Sequence, residues 1–158
     1  MKAFREILAA SGLLFAILTA VYGYSTLPQR IPTHFGDNGV VDVWSDKSSL
    51  WFPVGIACVV YVGMTLIRYA PESSANYPFD TQQRAAARPI GHTMVAWLKA
   101  EITWIFAGVT WSMVASAWGR NPDLTTWLTP LALGVIFVTL LYHIVRMVRL
   151  KPANAGAQ

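Results

Sequence analysis

The residues able to do chemistry concentrate in one polar stretch, LPQRIPTHFGDNGVVDVWSDK, from Leu27 to Lys47. It holds His34, three aspartates and two cations, Arg30 and Lys47. If the chain doubles back there, His34, Asp42 and Lys47 converge in a cluster suited to a peptide, a lipid headgroup or a cation. The same residues also suit structural roles: Asp42 capping a turn, Lys47 pairing with Asp42, His34 bonding a loop carbonyl. Both readings stay open on the sequence.

A second polar group lies inside apolar sequence. Counting inward from Trp118 and from Trp127 at about 1.5 Å per residue, Glu101 and His143 reach similar depths near the inner edge of a membrane. Antiparallel packing would bring Glu101 to His143 or to Arg146, as a proton relay, a cation site or a structural tie. Lys99, beside it, is expected to extend its ammonium to the headgroups. Trp104 and Trp111, seven residues apart, share a helical face and are expected to pack on a neighbouring helix.

Much chemistry is disfavoured. Cys58 is the single cysteine, so no intramolecular disulfide or cysteine-based zinc cluster can form. No His-x-x-x-His pair, Gly-rich phosphate loop, G-x-S-x-G or H-E-x-x-H occurs. The expectation is a protein that is not an enzyme, with no metal and no cofactor.

The elements that must position these residues are membrane spans. Of 158 residues 54% are hydrophobic and only 13% charged, with a mean hydropathy of +0.42. Four segments approach the roughly 20 apolar residues that cross a bilayer: 7–27, 51–69, about 94–117 and 127–148. Each must be helical, since lipid offers no partner for an open backbone. Their glycines are expected to permit close helix approach. Pro53 and Pro130 are expected near helix starts, where a missing N–H costs little. The first span reads as uncleaved, without a convincing small-x-small processing site.

Charge sets the orientation. Lys2 and Arg5 precede the first span, Arg68, Arg84 and Arg88 flank the middle connection, and Arg146, Arg149 and Lys151 follow the last span. The other two connections carry Arg30, Lys47 and Arg120 among Asp37, Asp42, Asp46 and Asp123. Positive-inside asymmetry places both termini and the 70–93 connection in the cytoplasm. Its Thr81–Arg88 part reads as a short helix on the lipid surface. The net charge of +4 follows the membrane, so no nucleic-acid partner is expected. Tyr22, Tyr24, Trp44, Trp51, Trp118 and Trp127 form an outer aromatic belt.

Within the outer loop, Pro28 and Pro32 fix two φ angles and keep Leu27–Thr33 extended. Gly36–Gly39 is a tight-turn sequence, and Val40–Trp44 suits a strand that pairs back as a hairpin. Asp46 or Ser48 then caps the second helix. Phe35 and Trp44 anchor the loop in the interface.

The pattern LPxxIPxHFxxxGxxDxWxxK, running straight into a span, resembles the bacterial membrane domain of unknown function at the N-terminus of SdpI-type immunity proteins. The resemblance covers the first two spans and their loop. SdpI-type proteins are longer, protect a cell from a membrane-active peptide toxin, and can hold a repressor at the membrane. Carried onto this chain, it implies a ligand- or partner-binding role for Pro28, Arg30, Pro32, His34, Phe35, Gly39, Asp42, Trp44 and Lys47.

The expectation is an all-α, single-domain integral membrane protein of a bacterial cytoplasmic membrane. It has four spans, cytoplasmic termini and a structured outer loop. Its partners are the lipid bilayer and either a peptide toxin or a membrane complex. Its role is binding or regulation, with an accessory subunit or a small transporter using Glu101 and His143 as alternatives.

Overall fold

The computed structural model describes residues 1–35, 41–67, 69, 81–120 and 124–150. In chain order these form α1 (Lys2–Thr26), β1 (Arg30–Phe35), β2 (Val41–Asp46), a 3-10 turn (Lys47–Leu50), α2 (Trp51–Ile67), α3 (Thr81–Ala117) and α4 (Leu124–Val148). The chain is mostly helical, and among the described residues three stretches are long and apolar enough to cross a membrane: Lys2–Thr26, Lys47–Ile67 and Thr129–Val148. The fourth helix, α3, is more polar, and α1, α2, α4 and β1 all pack against it.

Its place at the centre explains that polarity. Ala100, Thr103, Ala107, Thr110 and Val114 recur every three or four residues along α3 and are all buried. They face the small residues Ala9, Gly12, Ala16, Thr19, Ala20 and Gly23 of α1. Small side chains let two backbones approach closely, which drives helix association where lipid offers no hydrophobic gain. A Cβ on Gly23 would stand 2.6 Å from Val114 Cγ2, and one on Gly12 3.0 Å from both Thr103 Oγ1 and Trp104 Cδ1. The α3 hydroxyls satisfy themselves within the helix: Thr103 donates to Ala100 O at 2.9 Å, Thr110 to Phe106 O at 2.8 Å and Ser112 to Gly108 O at 2.9 Å. They are therefore buried without an unmet donor. Gly119, at φ +71°, ends the helix by sending its N–H to Ser116 O (2.9 Å) while Arg120 N–H reaches Ala115 O (3.1 Å).

The helices around α3 turn apolar surface outward. Leu14 and Leu18 of α1, Phe52, Val59 and Val62 of α2, and Leu131, Phe137 and Val138 of α4 are exposed. Apolar surface on this scale requires a nonaqueous neighbour.

Five sequence expectations need correction. The third helix is not confined to 94–117, nor is Thr81–Arg88 a separate surface helix: α3 runs unbroken for 37 residues through Pro89. Proline removes one backbone bond, but Ala85–Ala87 are strong helix formers and Ala87 and Ile90 are buried. Pro130 lies inside α4 and not at its start, because that helix begins at Leu124. Glycines at 55, 63 and 134 serve no close approach, since a Cβ there meets nothing within 4 Å. The fourth and fifth concern Lys99 and Glu101, below.

Candidate functional site

The outer loop forms an antiparallel hairpin. Arg30 pairs with Asp46, Ile31 with Ser45, Pro32 with Trp44, His34 with Val43 and Phe35 with Val41, with register shifts on either side of His34. The Gly36–Gly39 turn, and Gly39 with it, lies outside the described residues, as do the side chains of His34 and Phe35. Pro28 lies between α1 and β1, and at Pro32 the absent N–H sits among the register irregularities. Thr33 and Ser45 bond through their hydroxyls at 2.8 Å, and Lys47 N–H donates to Gln29 O at 2.9 Å, closing the base.

This hairpin is built into the bundle. Ile31 and Leu50 are fully buried and join Leu27, Val54, Ala16, Ala20, Ala107 and Val114 in one core cluster. Asp46 caps the 3-10 turn that leads into α2, accepting Ser48 N–H at 2.8 Å and the Gln29 amide. The Ser48 backbone bond, supported by the Ser48 and Gln29 side chains and by Lys47, holds its carboxyl below the ordinary value of 3.8. Lys47 sets its ammonium 4.8 Å over the Tyr24 ring. Asp42, Val43 and Trp44 face outward.

Toward the other end of the bundle lies a polar centre that sequence reading missed. Lys99 does not extend to the headgroups. It is 3% exposed, and its ammonium donates to both Glu6 oxygens, at 2.8 and 2.7 Å, and to Thr65 Oγ1 at 3.1 Å. Tyr61 donates its phenol to Glu6 Oε1 at 2.7 Å, and its ring lies 4.7 Å from the Lys99 nitrogen. One carboxylate, the Thr65 hydroxyl and the Tyr61 ring face thus replace the water a buried ammonium loses. Three helices, α1, α2 and α3, are tied at one level. Glu6 stands among charged residues at the chain start, and nothing in its local sequence separates it from them.

Glu101, on another side of α3, is treated differently. It pairs with neither His143 nor Arg146. Glu101 Oε1 accepts the Thr139 hydroxyl, and His143 Nδ1 lies 2.8 Å from the Thr139 carbonyl oxygen. Arg146 stacks 5.7 Å over Tyr142. A carbonyl only accepts, so Nδ1 carries the imidazole proton there and Nε2 is left as an acceptor. Both His143 Nε2 and Glu101 Oε2 are buried with no hydrogen-bond partner among the described residues. Orphaned buried acceptors are uncommon, and each calls for a physical account.

Glu101 opens onto a groove of about 550 Å³ between α1, α3 and α4. Phe15, Trp97, Trp104, Trp111, Leu131 and Val135 supply its apolar walls, and Glu101 is the carboxylate among them. Trp104 stacks on Phe15 at 5.8 Å between ring centres, and its indole N–H donates to Leu8 O at 3.0 Å. Trp104 and Trp111 therefore both pack on α1 and line the groove.

Residues 12–58, from Gly12 of α1 through the hairpin into α2, match the family model described as Domain of unknown function (DUF1648). Neither the curated proteins nor the solved structures contain a match to the chain.

Proposed function

We propose that this chain is a non-enzymatic binding protein of a bacterial cytoplasmic membrane. It spans the membrane four times with both termini inside and receives a hydrophobic helical segment in the α1/α3/α4 groove. The observation that carries the reading is Glu101 Oε2, a buried acceptor with no hydrogen-bond partner among the described residues, in a wall otherwise built of aromatic and aliphatic side chains. Such a wall fits a membrane-inserted helix, and the lone carboxyl selects one that brings a Lys, Arg or hydroxyl donor to that depth. An immunity-like protein facing a membrane-active peptide needs a slot of this kind, and so does an accessory subunit facing a partner's span.

Binding is favoured over transport by the bundle's interior. From Thr103 to the hairpin base it is filled by Ala16, Ala20, Ala107, Val114, Ile31 and Leu50, a closely packed apolar cluster. The hairpin caps that cluster, and its outward Trp44 fits an interfacial anchor.

The test uses defined probes with the full chain in nanodiscs. Brominated acyl chains quench tryptophan, so they report on Trp97, Trp104 and Trp111. A Leu/Ala helix with one Lys at the depth of Glu101 is expected to displace them. The same helix with Leu at that position, or the Glu101→Gln protein, should bind about tenfold more weakly. If both peptides bind equally and Glu101→Gln changes nothing, or if lipid alone occupies the groove, the reading fails.

A further inference from the structure

The two-stranded sheet has one covered strand and one open one. β1 also packs on α3 and on the 3-10 turn, whereas among the described elements β2 packs closely on β1 alone. Asp42, Val43, Trp44 and Asp46 of β2 are all exposed. An uncovered edge strand is a template for another strand, and proteins blunt such edges with proline or lysine. Here the proline, Pro32, sits in β1, and VDVWSD carries neither.

The phase of the ladder shows which backbone groups that edge presents. Lys47 N–H donates to Gln29 O at 2.9 Å, so the Gln29–Lys47 pair is hydrogen-bonded. Antiparallel pairs alternate, which makes Ile31–Ser45 a bonded pair and leaves Arg30–Asp46 and Pro32–Trp44 without ladder bonds. Pro32, which has no N–H to give, suits that position. The Val43 carbonyl points back to β1, where it accepts the Thr33 hydroxyl at 3.4 Å. Trp44 N–H and C=O, and Asp46 N–H, therefore point away from β1, and no described residue meets them. The first register shift adds Thr33 to β1 and leaves Val43–Asp46 continuous. Ile31 and Leu50 root the hairpin in the core, so this edge is preformed.

Charge selects the occupant. β2 carries Asp42 and Asp46 on either side of Trp44 and no cation, and Arg30 stands across from Asp46 on the β1 side. A second copy paired antiparallel about Trp44 would set Asp46 against Asp42, and like charges directly opposite destabilise a sheet. A basic strand gains where a copy loses. We propose that β2 accepts an extended basic peptide segment as an antiparallel third strand, exchanging backbone bonds at Trp44 and placing a Lys or Arg beside Asp46. This surface is separate from the α1/α3/α4 groove and does not depend on what occupies it.

The experiment uses the full chain in phosphatidylcholine nanodiscs and a labelled peptide, Thr-Lys-Thr-Val-Thr-Lys-Thr, followed by fluorescence anisotropy. Binding is expected to the protein and not to empty nanodiscs. N-methylation of the two lysines and the valine removes the donors that face β2 and should weaken binding about tenfold. N-methylation of the inner threonines, whose N–H groups face the other way, should change it by less than about twofold. Replacing both lysines by glutamate should also cost about tenfold. Trp44→Pro removes the outward donor without touching a ladder bond and should weaken binding about tenfold, while Trp44→Val keeps the donor and most of the affinity. The proposal is overturned if the two N-methylated peptides bind alike, if the glutamate peptide binds as well as the lysine one, or if Trp44→Val loses as much as Trp44→Pro. A dimer of the wild type that Trp44→Pro dissolves would assign the edge to a second copy, which also overturns it. Should Trp44→Pro unfold the protein in a melting control, the N-methylated peptides on the wild type decide the matter.

Discussion

Lys99 and Glu101 stand two residues apart on α3, so their side chains leave the helix about 200° from each other. On one side Lys99 meets a bidentate carboxylate, a hydroxyl and an aromatic face, and its needs are met. On the other Glu101 satisfies one oxygen on Thr139 while the second is buried without a partner among the described residues, and His143 repeats the pattern with its Nε2. The Lys99 ammonium is matched by its own neighbours on α1 and α2, whereas Glu101 Oε2 and His143 Nε2 are buried without a hydrogen-bond partner among the described residues. Burial of a charge in a span does not by itself indicate a working site. Incomplete satisfaction is the sharper sign, because a purely structural tie gains nothing from an orphaned acceptor.

If that comparison is right, the largest loss of stability comes from breaking the closed side. Glu6→Ala strands a buried ammonium, and removing one partner of a buried pair costs about 3–5 kcal/mol. Lys99→Met should cost clearly less, because the Glu6 side chain is 43% exposed and can hydrate once released. Unfolding in mixed micelles measures both. Equal and small losses would show that the pair does not hold α1, α2 and α3 together.

The small-residue seam comes next. Gly23→Val forces a side chain onto Val114, which is stiff and fully buried, and overpacking of this kind costs about 1–3 kcal/mol. Gly134→Ala on the open face of α4 meets nothing and should gain up to about 1 kcal/mol of helix propensity. A matching loss at both positions, read from melting temperatures, would mean that α4 is as tightly enclosed as α1.

The same contrast explains what the sequence made legible. Three of the four expected spans, the hairpin and the cap were readable because each rests on local rules: apolar length, the prolines at 28 and 32, and an Asp–x–Ser step at 46–48. The Trp104 packing was readable from spacing alone. The Lys99 centre was not, since Glu6 lies 93 residues away and only tertiary packing sets them at one level. The glycines show the same limit: Gly12 and Gly134 look alike in sequence, and only the neighbour across the seam tells them apart. Glu101 and His143 both meet Thr139, whose hydroxyl and carbonyl stand where a direct pair was expected.

On the open side, substitution should separate stability from binding. Glu101→Gln keeps an acceptor for Thr139 and should shift unfolding by less than about 1 kcal/mol, as one hydrogen bond is exchanged for another. Capture of the Lys-bearing helix should fall about tenfold with no change in melting. His143→Ala, measured in the same assay, asks whether the second orphan acceptor belongs to the same site. Loss of folding in Glu101→Gln equal to that in Glu6→Ala would erase the distinction between the two sides.

The smallest effect is expected at a third polar site, the Asp46 cap, which is exposed and so marks the solvated end of the scale. Its carboxyl titrates below 3.8 because the charged form accepts the Ser48 N–H. A depressed folded-state pKa contributes stability that is present above the unfolded value. That contribution is lost as pH falls through the folded value, so the window opens just below pH 4. Acid should loosen the hairpin–α2 junction there, read by fluorescence of Trp44 and Trp51 on either side of the cap. Asparagine caps nearly as well as aspartate without titrating, so Asp46→Asn should match the wild type at neutral pH and flatten that part of the acid transition. Asp46→Ala should lose the cap at every pH. An identical acid transition in wild type and Asp46→Asn would place the acid sensitivity at another carboxylate, with Glu6 of the closed centre the first to examine.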